Sequence, residues 1–225
     1  MSIKTMRNNF VTVRGLILWV AIASLGGFFT SCNTDSKASS GPTMKGSGTM
    51  QGMGHGMSMD LGPADTNLDL RFIDAMIPHH QGAVVMAKEA LQKSKRPEIK
   101  KLAKNILGAQ NQEISQMKQW RSQWYPKASP TPMAWHADMG HEMPMSDAQK
   151  EGMMMRQNLG AADAKFDLRF IAAMIPHHQG AVDMAQDVLK KSKRPEIKKL
   201  AKDIIASQQV EIKQMQTWQK SWSSK

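Results

Sequence analysis

The sequence predicts an all-α protein: a four-helix bundle built from two repeated helical hairpins, with disordered Met/His-rich segments and an N-terminal signal segment. Three observations support this prediction. One stretch of the 225-residue chain occurs twice, apolar residues in each copy recur at steps of three and four, and a proline stands where each second helix would begin. Two such hairpins pack most simply as one bundle with pseudo-twofold symmetry.

The internal repeat is the strongest signal in the chain. Residues 69–124 align with residues 167–222 at an offset of 98, and 38 of the 56 aligned positions are identical. A single core of fewer than about 70–80 residues is rarely stable alone, so we expect the two copies to form one unit. The most similar blocks are Met76–Val84 with Met174–Val182, and Lys93–Lys104 with Lys191–Lys202.

Each copy is predicted to form two helices joined by a short basic turn. Pro97 and Pro195 occupy the first helical position, which proline favours, and a glutamate follows each of them. Pro78 should kink the first helix or mark a local break, because proline lacks the backbone donor. The stripes with the spacing of a packed helix are Phe72, Met76, His79, Ala83, Met86 and Ala90, and Ile99, Ala103, Ile106, Gln110, Glu113, Met117, Trp120 and Trp124.

Polar side chains interrupt these stripes at one depth of each hairpin. If the turn is centred near residues 95–96, the paired histidines fall level with residues 111–112, between a glutamine and a glutamate. A buried carboxylate is costly without a partner, so a duplicated polar layer requires compensation. The members of the layer are Met76, His79, His80, Gln110, Glu113 and Met117 in the first copy, and Met174, His177, His178, Gln208, Glu211 and Met215 in the second.

Two interpretations of this layer remain open. In the first, hydrogen bonds between histidine and glutamate fix the register of the helices. In the second, the layer binds a metal ion, since imidazole suits copper, zinc, nickel and iron, and thioether favours Cu(I). Adjacent histidines on a helix point about 100° apart, so one of each pair can ligate while its neighbour hydrogen-bonds or reaches a second site. Met86 and its counterpart Met184 complete the candidate ligands in the repeats.

The distribution of the 20 methionines supports a soft metal. Six lie inside the repeats, and most others lie in Gly/Ser/Pro-rich segments, where no core needs a flexible gap-filler. Closely spaced Met and His in such segments indicate metal binding, and the thioether groups favour Cu(I) or its mimic Ag(I). The alternatives are a hydrophobic linker without a binding role, or a methionine surface that binds partner proteins. The candidate ligands are Met50, Met53, His55, Met57 and Met59, and His136, Met139, His141, Met143 and Met145.

The first 32 residues are typical of an export signal with a lipid anchor. Lys4, Arg7 and Arg14 precede a short apolar run that leads to Cys32, the single cysteine. The pattern resembles a bacterial lipobox, in which the cysteine is acylated and becomes the mature N-terminus; an uncleaved anchor helix is the alternative. Both predict an exported protein of the periplasm or cell surface, membrane-anchored through Cys32 in the first case and without disulfides.

The chain divides into five predicted segments, and its net charge of +11 does not change their assignment. Such a charge permits nucleic-acid or membrane binding, but export separates the protein from nucleic acid. We expect a solvated basic face, with anionic lipid headgroups as a secondary contact. The segments are a signal peptide (1–31), a disordered Met/His-rich segment (32–66), hairpin repeat 1 (67–125), a Met/His-rich crossover linker (126–166) and hairpin repeat 2 (167–225).

The paired-histidine motif resembles that of the domain-of-unknown-function family numbered 305. It reads Asp69-x-x-Phe72-x-x-x-Met76-Ile-x-His79-His80-x-x-Ala83-x-x-Met86 and Glu113-x-x-x-Met117-x-x-Trp120, and it recurs in the second copy. The resemblance covers residues 67–223 and implies a ferritin-like bundle; some members look like periplasmic copper-binding proteins that contribute to copper tolerance. Ferritin-like di-iron enzymes carry Glu-x-x-His on two helices. Here Gln116 and Gln214 stand at the histidine positions, which argues against oxidase chemistry.

The sequence therefore favours a binding protein over an enzyme. The predicted function is extracytoplasmic binding of copper, with Cu(I) favoured and Cu(II) or Ag(I) as further ligands. It would serve sequestration, tolerance or delivery to other copper-handling proteins. Two alternatives are a ferritin-like copper or iron oxidase that uses the same layer, and a structural lipoprotein with a hydrogen-bonded polar core.

Overall fold

The structure, a computed structural model, describes residues 60–223. Its four long helices form the predicted bundle: α1 packs on α2, α4 packs on α5, and α1 packs on α4. The all-α fold class is thus confirmed. No helix in this part of the chain is both long and apolar enough to cross a membrane. The elements are α1 (Leu68–Lys93), α2 (Pro97–Trp124), β1 (Met133–His136), β2 (His141–Pro144), α3 (Asp147–Met154), α4 (Phe166–Lys191) and α5 (Pro195–Ser223).

The prolines act in two different ways. Pro97 and Pro195 begin α2 and α5 as predicted. In contrast, α1 continues through Pro78 and α4 through Pro176, so the local break that was expected at this position does not occur. The residues around each of these two prolines are largely buried. Tertiary packing therefore outweighs the low helix propensity of proline here.

Two apolar clusters form the core and show how the hairpins pack. The first cluster joins the N-terminal half of α1 to the C-terminal half of α4 and to the start of α5. The second cluster joins the C-terminal half of α1 and the start of α2 to the N-terminal half of α4. Helices α1 and α4 therefore run antiparallel, and the middle of each lies between the clusters. The paired histidines occupy this middle position.

The arginines of the two basic turns connect one repeat to the other. Arg96 lies 4.0 Å from the ring centroid of Trp222 and 3.5 Å from a carboxylate oxygen of Asp167. Arg194 repeats the arrangement over Trp124, at 4.4 Å from the ring centroid. Its guanidinium also lies 3.3 Å from a carboxylate oxygen at the start of α1. A solvated basic face was expected around Arg96, whereas Arg96 and Arg194 each contribute a cation–π contact between the hairpins.

The repeating unit begins upstream of the helices. Leu61 and Leu159 are both buried, and the glycines that follow them have φ values of 74° and 72°. The Nε–H of Arg71 donates to the Leu61 carbonyl, and that of Arg169 donates to the Leu159 carbonyl, each at 2.6 Å. Residues 60–66 were assigned to the disordered segment. They are instead ordered, because the buried guanidinium of Arg71 donates hydrogen bonds to their backbone carbonyls.

The segment between the hairpins is also ordered, which corrects the expected disorder of its Met/His-rich sequence. Strands β1 and β2 form an antiparallel ribbon, and α3 begins with a capping box between Ser146 and Gln149. Ala134, Met145 and Met153 are each about 2% exposed and belong to the first cluster. These apolar residues lie far apart in sequence, so no helical or strand period reveals that they share one core.

Candidate metal centre

His79 and His177 face each other where α1 crosses α4. Their ring centroids lie 4.0 Å apart, and both side chains are buried. The Nε2–H of His177 donates to the backbone carbonyl of Met154 at 3.1 Å. Neither ring nitrogen of His79 has a hydrogen-bond partner among the described residues, and Nδ1 of His177 has none either. Three buried ring nitrogens at this crossing are therefore without a partner in residues 60–223.

The neighbouring histidines point to the other side of each first helix. The Nε2–H of His80 donates to Glu113 at 2.6 Å, and that of His178 donates to Glu211 at 2.7 Å. The predicted alignment of the layer within each hairpin, and the divergence of the adjacent rings, agree with this geometry. Each of these imidazoles keeps a buried Nδ1 with no partner in the described part of the chain.

Burial keeps the rings at the α1–α4 crossing neutral. Burial lowers the pKa of His79 well below its usual value, and the nearby His177, His80 and His178 lower it further. Burial is also the main cause that lowers the pKa of His177 to about 3. A neutral imidazole retains the lone pair that a metal ion requires. A buried donor or acceptor without a partner costs about 1–3 kcal/mol, so a ligand for these nitrogens would relieve a penalty.

Thioethers flank the histidines on both sides, but they pack as core residues. All six methionines of the repeats are buried. Each cluster takes two from one hairpin and one from the other, so the pseudo-twofold symmetry extends to them. The first cluster contains Met76, Met117 and Met184, and the second contains Met86, Met174 and Met215. The glutamines of the layer, Gln110 and Gln208, are buried with Oε1 unpartnered within residues 60–223.

The ribbon places other predicted ligands on the surface. His136 and His141 are direct cross-strand partners, so their side chains share one face of the ribbon. Met139 lies in the turn between them and is 56% exposed, and Met143 follows on β2. Met145 does not join this group, because it is buried in the first cluster. The other candidates, Met50, Met53, His55, Met57, Met59 and Cys32, lie outside the described residues.

The end of α3 covers the α1–α4 crossing and supplies two residues of the Met-rich linker that were not among the predicted ligands. Helix α3 ends at Met154, and Met155 has a left-handed conformation with φ of 44°. A Cβ on Gly82 would lie 1.7 Å from the Met154 carbonyl oxygen. A Cβ on Gly180 would lie 3.2 Å from Nε2 of His79 and 3.4 Å from Sδ of Met155. Glycine in a helix, three residues after each first histidine, was the available signal of such a close approach.

Comparison with known proteins identifies the family. The model of the domain of unknown function DUF305 matches residues 21–121 and 69–219, and together these ranges cover most of the chain. The chain belongs to DUF305. A DUF305 protein from Streptomyces coelicolor is 27% identical, with 72% of this chain and 94% of that chain covered and a TM-score of 0.53.

Two further solved structures and one protein sequence are similar to this DUF305 chain. CopM in the Cu(II)-bound form is 45% identical, covering 68% of this chain and 97% of that chain, with a TM-score of 0.56. CopM in the Ag-bound form obtained by soaking is 42% identical over 68% and 96%, with a TM-score of 0.54. Uncharacterized protein L153 of Acanthamoeba polyphaga mimivirus is 47% identical over 49 residues. That match spans 22% of this chain and 32% of the mimivirus protein.

The donors in this DUF305 chain are soft and mostly neutral. Within residues 60–223, no group of three or more His, Cys, Asp or Glu side chains is arranged to hold a metal ion. The potential ligands that do come together are pairs of imidazoles, a thioether and a backbone carbonyl. Neutral nitrogen and thioether donors suit a soft monovalent ion better than a hard divalent one.

Replacing Gly82 with alanine tests whether α3 is seated on α1. The new methyl group would collide with the Met154 carbonyl, and a backbone atom yields less readily than a flexible side chain. We expect Gly82→Ala to lower the free energy of unfolding by about 1–3 kcal/mol, measured by chemical denaturation. Gly108→Ala in α2 is the matched control, because its Cβ meets nothing within 4 Å; it should stabilise the helix by about 0.5–1 kcal/mol. Equal effects of the two substitutions would contradict the described contact.

Proposed function

We propose that this chain is an extracytoplasmic copper-binding protein that sequesters copper or delivers it, and that it does not turn over a substrate. The observation that carries this proposal is the crossing of His79 and His177, where buried, neutral imidazoles present nitrogens without partners in residues 60–223. The similarity to CopM, whose structures contain Cu(II) or Ag, supports the choice of metal.

The charge balance of the crossing favours Cu(I), with Cu(II) and Ag(I) as further ligands. Bringing a divalent ion into an apolar core with only neutral donors leaves two uncompensated charges, whereas a monovalent ion leaves one. Thioether sulfur also prefers Cu(I). The buried methionines of both clusters are further candidate sulfur ligands.

The glutamates of the layer fit a supporting role around a metal. A ligating histidine commonly donates its second ring N–H to a carboxylate, which fixes the ring and raises its basicity. His80 with Glu113, and His178 with Glu211, have this arrangement and leave Nδ1 available. We infer that these two histidines form further sites within each hairpin, beside the shared crossing of the first histidines.

The donors of the ribbon, two of them exposed and two half-buried, would capture metal before it reaches the core. His136, His141, Met139 and Met143 gather on or near one face of the ribbon. The N-terminal Met/His-rich segment and a lipid anchor at Cys32 belong to the same proposal, because they would concentrate weak sites near a membrane. Thioether needs no deprotonation, so these capture sites should retain Cu(I) at acidic pH.

Metal analysis and Cu(I) competition titration test the proposed function. Untagged protein isolated from the periplasm of copper-fed cells should contain copper. Replacing His79, His80, His177 and His178 should remove the core sites, and replacing Met50, Met53, His55, Met57 and Met59 with alanine should lower Cu(I) stoichiometry without unfolding the bundle. Chains that contain no metal and take up none in vitro would contradict the proposal. An unchanged stoichiometry after the second set of changes would contradict only the capture role.

A second candidate function is a structural lipoprotein, and the two His–Glu hydrogen bonds favour it. In that case His80→Gln and His178→Gln would destabilise the protein equally with and without copper. If copper binds to the layer, both substitutions should instead reduce the stabilisation that added metal provides. An oxygen-consumption assay with Cu(I) or Fe(II) separates both functions from an oxidase; we expect no turnover.

A further inference from the structure

We propose that the space beside Gly180 is a nitrogen–sulfur site for one soft monovalent cation, formed by Nε2 of His79 and the thioether of Met155. The inference rests on the proposed function and adds a ligand from the linker to the residues of the repeats.

The two donor atoms converge on a space that only a glycine leaves open. The position of a Cβ on residue 180 lies 3.2 Å from Nε2 of His79 and 3.4 Å from Sδ of Met155. His79 is 1% exposed, and neither of its nitrogens has a partner in the described part of the chain. Nε2 is therefore a buried polar atom directed into a small space that it shares with a soft donor.

The pseudo-twofold symmetry predicts an equivalent space beside Gly82, but the linker fills it. The Met154 carbonyl oxygen lies 1.7 Å from the position of a Cβ on Gly82. The same carbonyl accepts the Nε2–H of His177. One repeat therefore receives a backbone oxygen and the other receives a thioether. This difference sets the expected stoichiometry at the crossing to one ion per chain.

The conformation of Met155 supports a selected position for its side chain. A positive φ is uncommon for a residue other than glycine, and such conformations cluster at ligand-binding sites. Met155 has φ of 44° immediately after α3, where a glycine would be the usual residue. The left-handed turn brings its sulfur to α4 and not into the first cluster, which contains the neighbouring Met153.

Residue-specific NMR of the full chain during an Ag(I) titration tests the site. Each methionine methyl group labelled with ¹³C gives its own resonance and reports ligation of its own sulfur. Ag(I) binding to the exposed methionines is therefore observed separately from binding to Met155. We expect the Met155 methyl resonance to shift along a one-site binding curve. In Met155→Leu, which lacks this methyl group, the same event is followed at the ring resonances of His79 and should weaken by about tenfold or more. Met133→Leu is the matched control, because Met133 is half-buried on β1 and belongs to none of the proposed sites.

Gly180→Ala provides a second test that keeps both donors. Its methyl group would occupy the proposed space and should abolish the same binding event, while thermal unfolding confirms that the bundle is intact. A Met155 resonance that stays unchanged while Ag(I) binds elsewhere would overturn this site and leave the proposed function standing. Identical titrations of Met155→Leu and Met133→Leu would overturn it as well. A full chain that binds neither Ag(I) nor Cu(I) would overturn the proposed function with it.

Discussion

Lowering the pH from 7 to 5 is expected to reduce the free energy of unfolding of the metal-free protein by at least about 2 kcal/mol, the contribution of one imidazole that stays neutral. The cause is the pair of buried imidazoles, His79 and His177, whose pKa values are lowered in the folded state. The unfolded chain binds protons on these groups near pH 6.5, whereas the folded protein keeps both neutral. The contribution of these two groups to the free energy of unfolding is therefore fully present above about pH 6.5 and decreases as the pH falls below it. For His177 the decrease continues until the pH reaches its folded-state pKa of about 3.

Chemical denaturation in the presence of a chelator measures this loss at pH 7, 6 and 5. Each buried histidine contributes about 1.4 kcal/mol per pH unit, so the slope reports how many of them resist protonation. His177→Leu should lower the slope, while Val210→Leu on the exposed surface of α5 should leave it unchanged. A free energy of unfolding that does not vary between pH 7 and 5 would show that the rings are accessible to protons in the folded protein.

Replacing Arg71 with methionine is expected to destabilise the protein by about 2–3 kcal/mol, which is below the 3–5 kcal/mol of a fully buried pair because the partners are partly exposed. Arg71 is 1% exposed and donates to the carbonyls of Leu61 and Pro63. It also forms ion pairs with Asp65 at 3.0 Å and with Glu142 at 3.1 Å. Methionine retains the apolar volume but leaves these acceptors without their donor.

The second repeat offers the matched control for this substitution. Arg169 donates to the carbonyls of Leu159 and Ala161 and pairs with Asp163, but its side chain is 34% exposed. Arg169→Met should therefore lower the free energy of unfolding by only about 1 kcal/mol. Limited proteolysis should show earlier cleavage upstream of α1 in Arg71→Met alone. An equal loss of stability in both variants would mean that the contact with the ribbon, through Glu142, contributes nothing.

The hairpins and their polar layer could be predicted because they depend on local periodicity and on a short turn. The spacing from the turn placed the paired histidines level with residues 111–112, between Gln110 and Glu113. In the structure, His80 is hydrogen-bonded to Glu113. The helical angle between neighbours separated His79 from His80. The contact between the rings of His79 and His177 could not be predicted. It depends on how α1 packs against α4, and no short connection fixes the register of these two helices.

The ordered structure of the linker could not be predicted for a different reason. It occurs once, so the repeat provides no second copy in which to recognise a pattern. Its contacts with the bundle are single apolar residues separated by polar ones, and the coverage of the histidines depends on a backbone carbonyl. Only the glycines at positions 82 and 180 indicated that something approaches the first helices closely. The upstream extension, in contrast, was visible at the same offset of 98 in Leu61-Gly62 and Leu159-Gly160.

The reciprocal contacts of Arg96 and Arg194 make the two hairpins self-complementary. Each hairpin places an arginine over a tryptophan of the other hairpin. The first hairpin of one molecule could therefore form the same contacts with the second hairpin of another molecule. An exchange of hairpins between two chains would therefore preserve every one of these interactions. Two features oppose such domain-swapped dimers. The covalent linker raises the effective concentration of one hairpin around the other. In addition, α3 can pack against only one α1–α4 crossing at a time.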